Sequence, residues 1–207
     1  MDKTVIGITG GIASGKSSFA SYLKKHKFYT LSSDEIVSNL YKKGSAGYKA
    51  LTSLKLKGVL DSDGNINKKK MRDLIFGDKK IREKVERTIH PLVIDEIKTF
   101  IKDLPEKSYA CVEIPLLFEA DLQKLCTYTA TIYTPKEQMT KALKERYAIT
   151  SEEIEKMLGT HMDIALKMMK SNFVILNTGS LGELKNKADK FVAVLYKLNK
   201  IKGVCKK

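Results

Sequence analysis

The residues with the clearest chemical potential lie near the start of the chain, where Gly10–Ser17 reads G-G-I-A-S-G-K-S and fits the pattern G-x-x-x-x-G-K-S. In this pattern, the backbone N–H groups of a glycine-rich loop at a helix N-terminus surround phosphate oxygens. Lys16 is expected to reach the β- and γ-phosphates, and the Ser17 hydroxyl to ligate Mg²⁺. The sequence therefore predicts a site for ATP or another nucleoside triphosphate, with a plain glycine-rich turn as the alternative.

Two carboxylates stand near the ends of predicted strands, where parallel α/β sheets bind their ligands. Asp34 follows the apolar stretch 28–33, and Glu113 lies near the end of the stretch 109–115. Asp34 could accept a proton from an attacking hydroxyl, hold Mg²⁺, or simply stabilise the start of a helix. Glu113 could hold Mg²⁺ through water or be a carboxylate at the sheet edge.

The elements that must position these residues alternate between strand and helix. Apolar stretches predict five strands, near residues 5–8, 28–33, 109–115, 128–133 and 172–180. Strands that alternate with helices indicate an α/β fold, here a parallel five-stranded sheet of the P-loop NTPase type flanked by helices.

Two further segments are predicted to be helical. Residues 36–104 lack strand signals and read as an insertion, within which Pro91 is expected to kink or restart a helix near Ile89. Residues 136–170 are rich in Lys and Met, contain Arg146, and resemble a mobile cationic lid, or else an exposed hairpin with solvated charges. The core then comprises residues 1–35, 105–135 and 171–207.

Composition narrows the possible partners. The chain of 207 residues carries a formal charge of +14, from 38 Lys and Arg against 24 Asp and Glu. Short lysine clusters without interleaved aromatics favour a solvated surface over a specific nucleic-acid site. We expect neither a specific nucleic-acid partner nor membrane association, and we favour a monomer.

Cysteine usage and the first residues bear on location. The three cysteines, Cys111, Cys126 and Cys205, lie far apart without metal-ligand spacing, which favours a reducing compartment. Met1 leads almost directly into the first strand, so we expect no signal peptide and a cytoplasmic protein.

Two short motifs suggest a GTPase instead. Residues 61–64 fit D-x-x-G, and residues 186–189 fit the guanine-reading motif N-K-x-D. The first lies in a polar turn of the helical insertion, and the second lies within the periodicity of the last helix, where Ala188 belongs to the apolar stripe. A small-molecule kinase with a core, an insertion and a lid explains the organisation better.

Several motifs together resemble those of bacterial dephospho-CoA kinases. They are T-G-G-I-A-S-G-K-S from Thr9, Asp34, L-D-S-D-G from Leu60 with Ile75-Phe76, His90-Pro91, P-L-L-F-E from Pro115, and Asn177 followed by Gly179. The resemblance implies transfer of the ATP γ-phosphate to the ribose 3′-hydroxyl of dephospho-CoA, the last step of coenzyme A synthesis. It also implies that residues 36–104 bind the acceptor.

The resemblance further implies roles for individual residues. The catalytic residues would be Thr9, Lys16, Asp34 and Arg146. The ATP site would comprise Ala13, Ser14, Gly15, Lys16, Ser17, Ser18 and Asn177. The acceptor would contact His90, Pro91, Leu117 and Lys141, and Mg²⁺ would be held by Ser17 and Glu113.

The chain also departs from the family pattern. Ser32 replaces the first acidic residue of the usual Asp-x-Asp, whereas Asp34 keeps the second. In the lid, Lys141 replaces an arginine, Arg146 matches a second arginine only with an insertion, and His161 replaces a glutamine. Because lysine lacks the bidentate fork of arginine, the lid roles stay open between Lys141 and Arg146. A kinase for nucleosides or nucleotides and a nucleotide-regulated nucleic-acid-binding protein remain the alternative functions.

Overall fold

The computed structural model describes residues 3–147, 150, 152, 154, 159 and 162–204. For residues 146, 147 and 201–204 it describes the backbone only. The chain divides into two compact units: Met1–Ser32 with Ile101–Lys207, and Ser33–Phe100. No helix in the described ranges has the length and apolar character needed to cross a membrane.

The first unit contains a five-stranded sheet. The strands are β1 (Thr4–Gly10), β2 (Tyr29–Ser32), β3 (Tyr109–Glu113), β4 (Tyr128–Tyr133) and β5 (Phe173–Leu176). They are ordered β2-β3-β1-β4-β5, and every pairing is parallel. The prediction of an α/β fold with a parallel five-stranded sheet is confirmed. Because β1 lies in the centre and every residue in it is buried, the loop that follows β1 starts from a strand packed on both faces.

Helices of the first unit cover the sheet. They are α1 (Lys16–Lys25), α6 (Lys136–Tyr147), α7 (Ile164–Lys170) and α8 (Leu181–Val204), with a short 3₁₀ helix at Leu122–Leu125. Phe19 of α1 and Phe173 of β5 both pack against Phe191 of α8, at ring-centroid distances of 5.6 and 5.1 Å. Phe19 and Phe191 are buried, and full burial of a phenylalanine side chain contributes about 1.5–3 kcal/mol of hydrophobic free energy. This aromatic cluster fixes α1, and with it the end of the phosphate-binding loop.

The second unit is helical, and its helices are α2 (Ser33–Leu40), α3 (Ala46–Ser53), α4 (Lys68–Gly77) and α5 (Lys79–Asp103). Pro91 was expected to kink or restart a helix; the restart does not occur, because α5 continues through Pro91, and the kink stays a prediction. A proline removes one backbone N–H donor from a helix. Here the buried stripe Val85, Ile89, Val93 and Ile97 runs along both sides of Pro91, and its burial offsets that loss.

Two cysteines are held inside the first unit. Cys111 of β3 is fully buried, and burial raises its pKa, as do the neighbouring charge of Glu113 and the nearby Cys126. Burial also raises the pKa of Cys126 to about 12, although a hydrogen bond from the Gly7 backbone opposes this shift. Only a thiolate is an effective nucleophile. Both groups are therefore unreactive thiols at neutral pH, whereas Cys205 lies outside the described residues.

We expect Cys126 to react with a thiol reagent at least about 10³-fold more slowly than a free cysteine at pH 7, because the pKa of about 12 leaves so little thiolate, and the fully buried Cys111 to react no faster. The measurement is a time course of thiol modification in a Cys205→Ser variant. Denatured protein should titrate both thiols at once. Rapid modification of native protein would contradict the raised pKa values of these thiols.

Candidate active site

The turn from β1 into α1 depends on two glycines. Gly10 has φ 150°, and a Cβ atom there would overlap the carbonyl oxygen of Ile132. Gly15 has φ 88°, and a Cβ atom there would lie 2.5 Å from Nδ2 of Asn177. The turn is so tight that neither position has room for a Cβ atom, and both φ angles are ones that other residues rarely adopt. The glycines of the motif are thus required by the geometry of the loop.

Lys16 is the first residue of α1 and is only 8% exposed. Its Nζ donates hydrogen bonds to the carbonyl oxygens of Gly11 and Gly10, at 2.7 and 3.4 Å. The ammonium group therefore lies over its own loop. This arrangement places a positive charge beside the N–H groups at the helix N-terminus, where an anion is stabilised.

Ser17 is exposed, and its hydroxyl donates a hydrogen bond to Oε1 of Glu113 at 2.9 Å. Glu113 ends β3, is 5% exposed and pairs in register with Ile8 of β1 and Ser32 of β2. A hydroxyl and a carboxylate oxygen are the ligand types that Mg²⁺ prefers, and Mg²⁺ commonly keeps several waters and binds only one or two protein oxygens. Ser17 and Glu113 together therefore fit a Mg²⁺ site.

The carbonyl group of Ser14 is held from two sides. The hydroxyl of Thr134 and Nδ2 of Asn177 each donate a hydrogen bond to it at 3.0 Å. The N–H of Asn177 also donates to the Tyr133 carbonyl, which fixes Asn177 just beyond β5. The Ser14 hydroxyl itself is buried and has no hydrogen-bond partner within the described part of the chain. The loop is thus braced from outside, and it retains a donor that a phosphate oxygen could satisfy.

A cavity of about 270 Å³ opens beside the loop at Gly11 and Ile12. Its other walls come from the end of β4, from α6 and from α7, including Met139 and Lys167. A separate hollow of about 400 Å³ lies beside Lys3, at the opposite end of β1. Ligands of parallel α/β sheets bind at the carboxyl ends of the strands, so the smaller cavity is the one that belongs to the candidate active site.

Known proteins are similar to this chain over most of its length. The family described as "Dephospho-CoA kinase" matches residues 4–183. The chain belongs to this family. A dephospho-CoA kinase of Lactobacillus johnsonii is 33% identical over 184 residues, which cover 88% of this chain and 93% of the relative.

Solved structures agree with this membership. A crystal structure of a Thermus thermophilus protein has a TM-score of 0.80 and 28% identity, and it covers 96% of this chain and 99% of that one. A dephospho-CoA kinase structure from Campylobacter jejuni has a TM-score of 0.67 and 26% identity, and it covers 95% and 99%. The dephospho-CoA kinase fold therefore extends over nearly the whole chain.

The first unit brings most of the predicted ATP residues together. Ala13, Ser14, Gly15, Lys16, Ser17 and Ser18 form the loop and the start of α1. Thr9 is the penultimate residue of β1, just before the loop, and Asn177 braces the loop. The whole of Leu117 is buried, with its side chain near Gly7, so the structure exposes no surface of this predicted acceptor residue.

The remaining predicted residues lie elsewhere. Asp34 is exposed in the first turn of α2, and His90 and Pro91 lie within α5, all three in the second unit. Lys141 is exposed on α6. The side chain of Arg146, the whole of His161 and Cys205 lie outside the described residues.

The two GTPase-like motifs lie in positions that do not suit guanine recognition. The Asp61 carboxylate accepts hydrogen bonds from the backbone N–H groups of Asp63 and Asn65, so it stabilises its own turn. Ala188 is fully buried within α8, and the Asp189 carboxylate contacts Nε2 of His26 at 2.6 Å. Both sets of contacts, and the family membership, are consistent with the expectation that the protein is not a GTPase.

Sequence reasoning missed one pair near the loop. Lys167 of α7 is only 1% exposed, and its Nζ lies 2.8 Å from Oε1 of Glu119. Burial alone would raise the pKa of the Glu119 carboxyl, but hydrogen bonds from Lys167 and from the Met162 N–H bring that pKa below its ordinary value. Lys167 is one of many lysines in its segment, so composition carries no signal for its burial. Glu119 is visible only as the last residue of P-L-L-F-E.

Proposed function

We propose that this protein is a dephospho-CoA kinase, which transfers the γ-phosphoryl group of ATP to the ribose 3′-hydroxyl of dephospho-CoA. The products are coenzyme A and ADP, and the reaction is the last step of coenzyme A synthesis. The family match over residues 4–183 is the observation that carries this proposal. The intact loop from Gly10 to Ser17 supports it with a structure suited to triphosphates.

The chemistry needs three contributions from this chain. Lys16 binds the β- and γ-phosphates, which replace the Gly10 and Gly11 carbonyls as partners of its ammonium group. Ser17 and Glu113 hold Mg²⁺, which when bound neutralises charge on the transferring phosphate. Asp34 orients the 3′-hydroxyl and accepts its proton as the new P–O bond forms and the bond to the β-phosphate oxygen breaks.

The remaining site residues position the two substrates. Thr9, Ala13, Ser14, Gly15, Ser18 and Asn177 shape the loop around ATP. The second unit, through His90 and Pro91, binds dephospho-CoA together with the segment that contains Leu117. The segment 136–170 closes as a lid, in which Arg146 contacts the transferring phosphate and Lys141 contacts the acceptor as a lesser contributor. The protein acts as a monomer in the cytoplasm, without a specific nucleic-acid partner.

The function is tested by incubating the protein with ATP, Mg²⁺ and a panel of acceptors. The panel contains dephospho-CoA, nucleosides and nucleoside monophosphates, and mass spectrometry detects the products. We expect one new phosphate on dephospho-CoA, located at the ribose 3′ position by NMR. Efficient phosphorylation of a nucleoside or nucleotide, with dephospho-CoA unchanged, would replace this proposal with another small-molecule kinase.

We expect Glu113→Gln to raise the Mg²⁺ concentration needed for half-maximal activity by about tenfold or more, since the amide loses the charge that attracts the cation. The measurement is a Mg²⁺ titration of initial rates at saturating ATP. Glu106→Gln, which neutralises an exposed glutamate in the same unit, is the matched control. An unchanged titration curve for Glu113→Gln would place the metal elsewhere.

Substitutions in α6 distinguish the contributions of Arg146 and Lys141 to kcat. We expect Arg146→Ala to lower kcat by about 10²-fold or more, because arginine can grip transferring phosphate oxygens at two points. We expect Lys141→Ala to lower kcat by less than about tenfold, because its ammonium is a single point of contact. Steady-state kinetics with Lys144→Ala, an exposed lysine of the same helix, as control measures both. Equal losses, or none for Arg146, would overturn the ranking.

A further inference from the structure

Burial of the charged Lys167 side chain in α7 costs free energy. Lys167 is 1% exposed, and an ammonium group taken from water needs a counter-charge and hydrogen-bond acceptors. Its counter-charge Glu119 is an exposed residue whose side chain keeps 22% of its surface, so the ion pair is only half-buried and adds little to the stability of the fold. The contacts of Lys167 therefore call for an explanation beyond the stability of the core.

Lys167 contacts the segment that follows β3 at two points. Its Nζ lies 2.8 Å from Oε1 of Glu119 and donates a hydrogen bond to the Pro115 carbonyl at 2.6 Å. The Thr9 hydroxyl donates to the same Pro115 carbonyl at 3.0 Å. One carbonyl oxygen thus joins α7 to the residue of β1 that directly precedes Gly10.

Glu119 extends the connection to a second segment. The same oxygen that contacts Lys167 also accepts a hydrogen bond from the backbone N–H of Met162 at 2.9 Å. Met162 lies two residues before α7, where the segment 136–170 returns to the sheet. The pair therefore fixes the returning end of that segment against the turn after β3.

The position of Pro115 gives these contacts a chemical consequence. Pro115 lies two residues after Glu113, whose carboxylate accepts the Ser17 hydroxyl. A carbonyl held by two donors limits how far the chain after Glu113 can shift. Lys167 is therefore connected to the loop through Thr9 and to the carboxylate of Glu113 through two residues of backbone.

We propose that Lys167 and Glu119 form a positioning pair for phosphoryl transfer, which aligns the loop, the Glu113 turn and the returning end of the segment 136–170 without contacting either substrate. This inference rests on the proposed kinase function. A small misplacement of groups around a transferring phosphate slows the chemical step strongly. The pair should accordingly affect kcat more than substrate binding.

A double-mutant cycle tests the pair. We expect Lys167→Met to lower kcat by about 10- to 100-fold, with the KM values for ATP and acceptor within about threefold of wild type. Glu119→Gln should lower kcat by a smaller factor. The double variant should be no slower than Lys167→Met, because residues that act as a unit are not additive. Lys167→Arg, which keeps the charge and the donors, should recover most of kcat.

Lys170→Met is the matched control, since Lys170 is an exposed lysine of the same helix. A Lys167→Met variant with a lower Tm but wild-type kcat per folded molecule would overturn the proposal, as would losses in the double variant that multiply. If Lys167→Met does not fold, Glu119→Gln decides the matter: it keeps the side-chain volume, and an unchanged kcat would refute the pair. Wild-type turnover with the acceptor panel tests the kinase function separately, and the cycle is run with whichever acceptor that assay identifies.

Discussion

Lys16→Ala should abolish almost all turnover. We expect kcat/KM to fall by at least about 10³-fold, or about 4 kcal/mol of transition-state stabilisation, because charge on the transferring phosphoryl group is neutralised chiefly by fixed cations. The ammonium group donates to the Gly11 carbonyl at 2.7 Å, and it exchanges this partner for phosphate oxygens when ATP binds, before the chemical step. Little reorganisation is then needed at the moment of reaction.

The assay follows coenzyme A formation at several ATP concentrations. Lys24→Ala is the control, because Lys24 is an exposed lysine in the last turn of the same helix and its removal should leave kcat/KM unchanged. Circular dichroism should show that both variants are folded. A Lys16→Ala enzyme with wild-type kcat/KM would refute the role of the loop in phosphate binding.

Asp34→Asn should lower the rate of the chemical step by about 10²- to 10⁴-fold, the usual contribution of a positioned general base. Asparagine keeps the shape and hydrogen-bonding capacity that suit the start of a helix. The fold and the affinity for ATP should therefore survive, while transfer slows. A single-turnover experiment with ATP and dephospho-CoA isolates this step from product release.

Glu35→Gln is the control for Asp34→Asn. Glu35 is the next residue, is also exposed and lies in the same first turn of α2, so its loss tests the helix-start effect alone. We expect it to be nearly silent. An unchanged single-turnover rate in Asp34→Asn would mean that this carboxylate is structural and that another group accepts the proton.

Local sequence patterns were enough to predict much of the fold and of the candidate site. The alternation of strand and helix signals and the spacing of the loop glycines are properties of neighbouring residues, and both indicated the parallel sheet and the loop after β1. Of the kink or restart expected at Pro91, the restart does not occur. The rule that proline breaks helices considers only the hydrogen bond lost within one helix. The burial of the apolar stripe along α5 depends instead on how the whole unit packs.

By itself, then, the sequence determined the α/β class, the phosphate-binding loop with Lys16 and Ser17, and the resemblance to dephospho-CoA kinases. Only the tertiary structure decided which polar groups meet. Ser17 and Glu113 are 96 positions apart, and Lys167 and Pro115 are 52 apart. Periodicity describes the face of one helix or strand, but it does not say which distant group will lie opposite. Among so many lysines, Lys167 could be recognised only once packing had removed it from water.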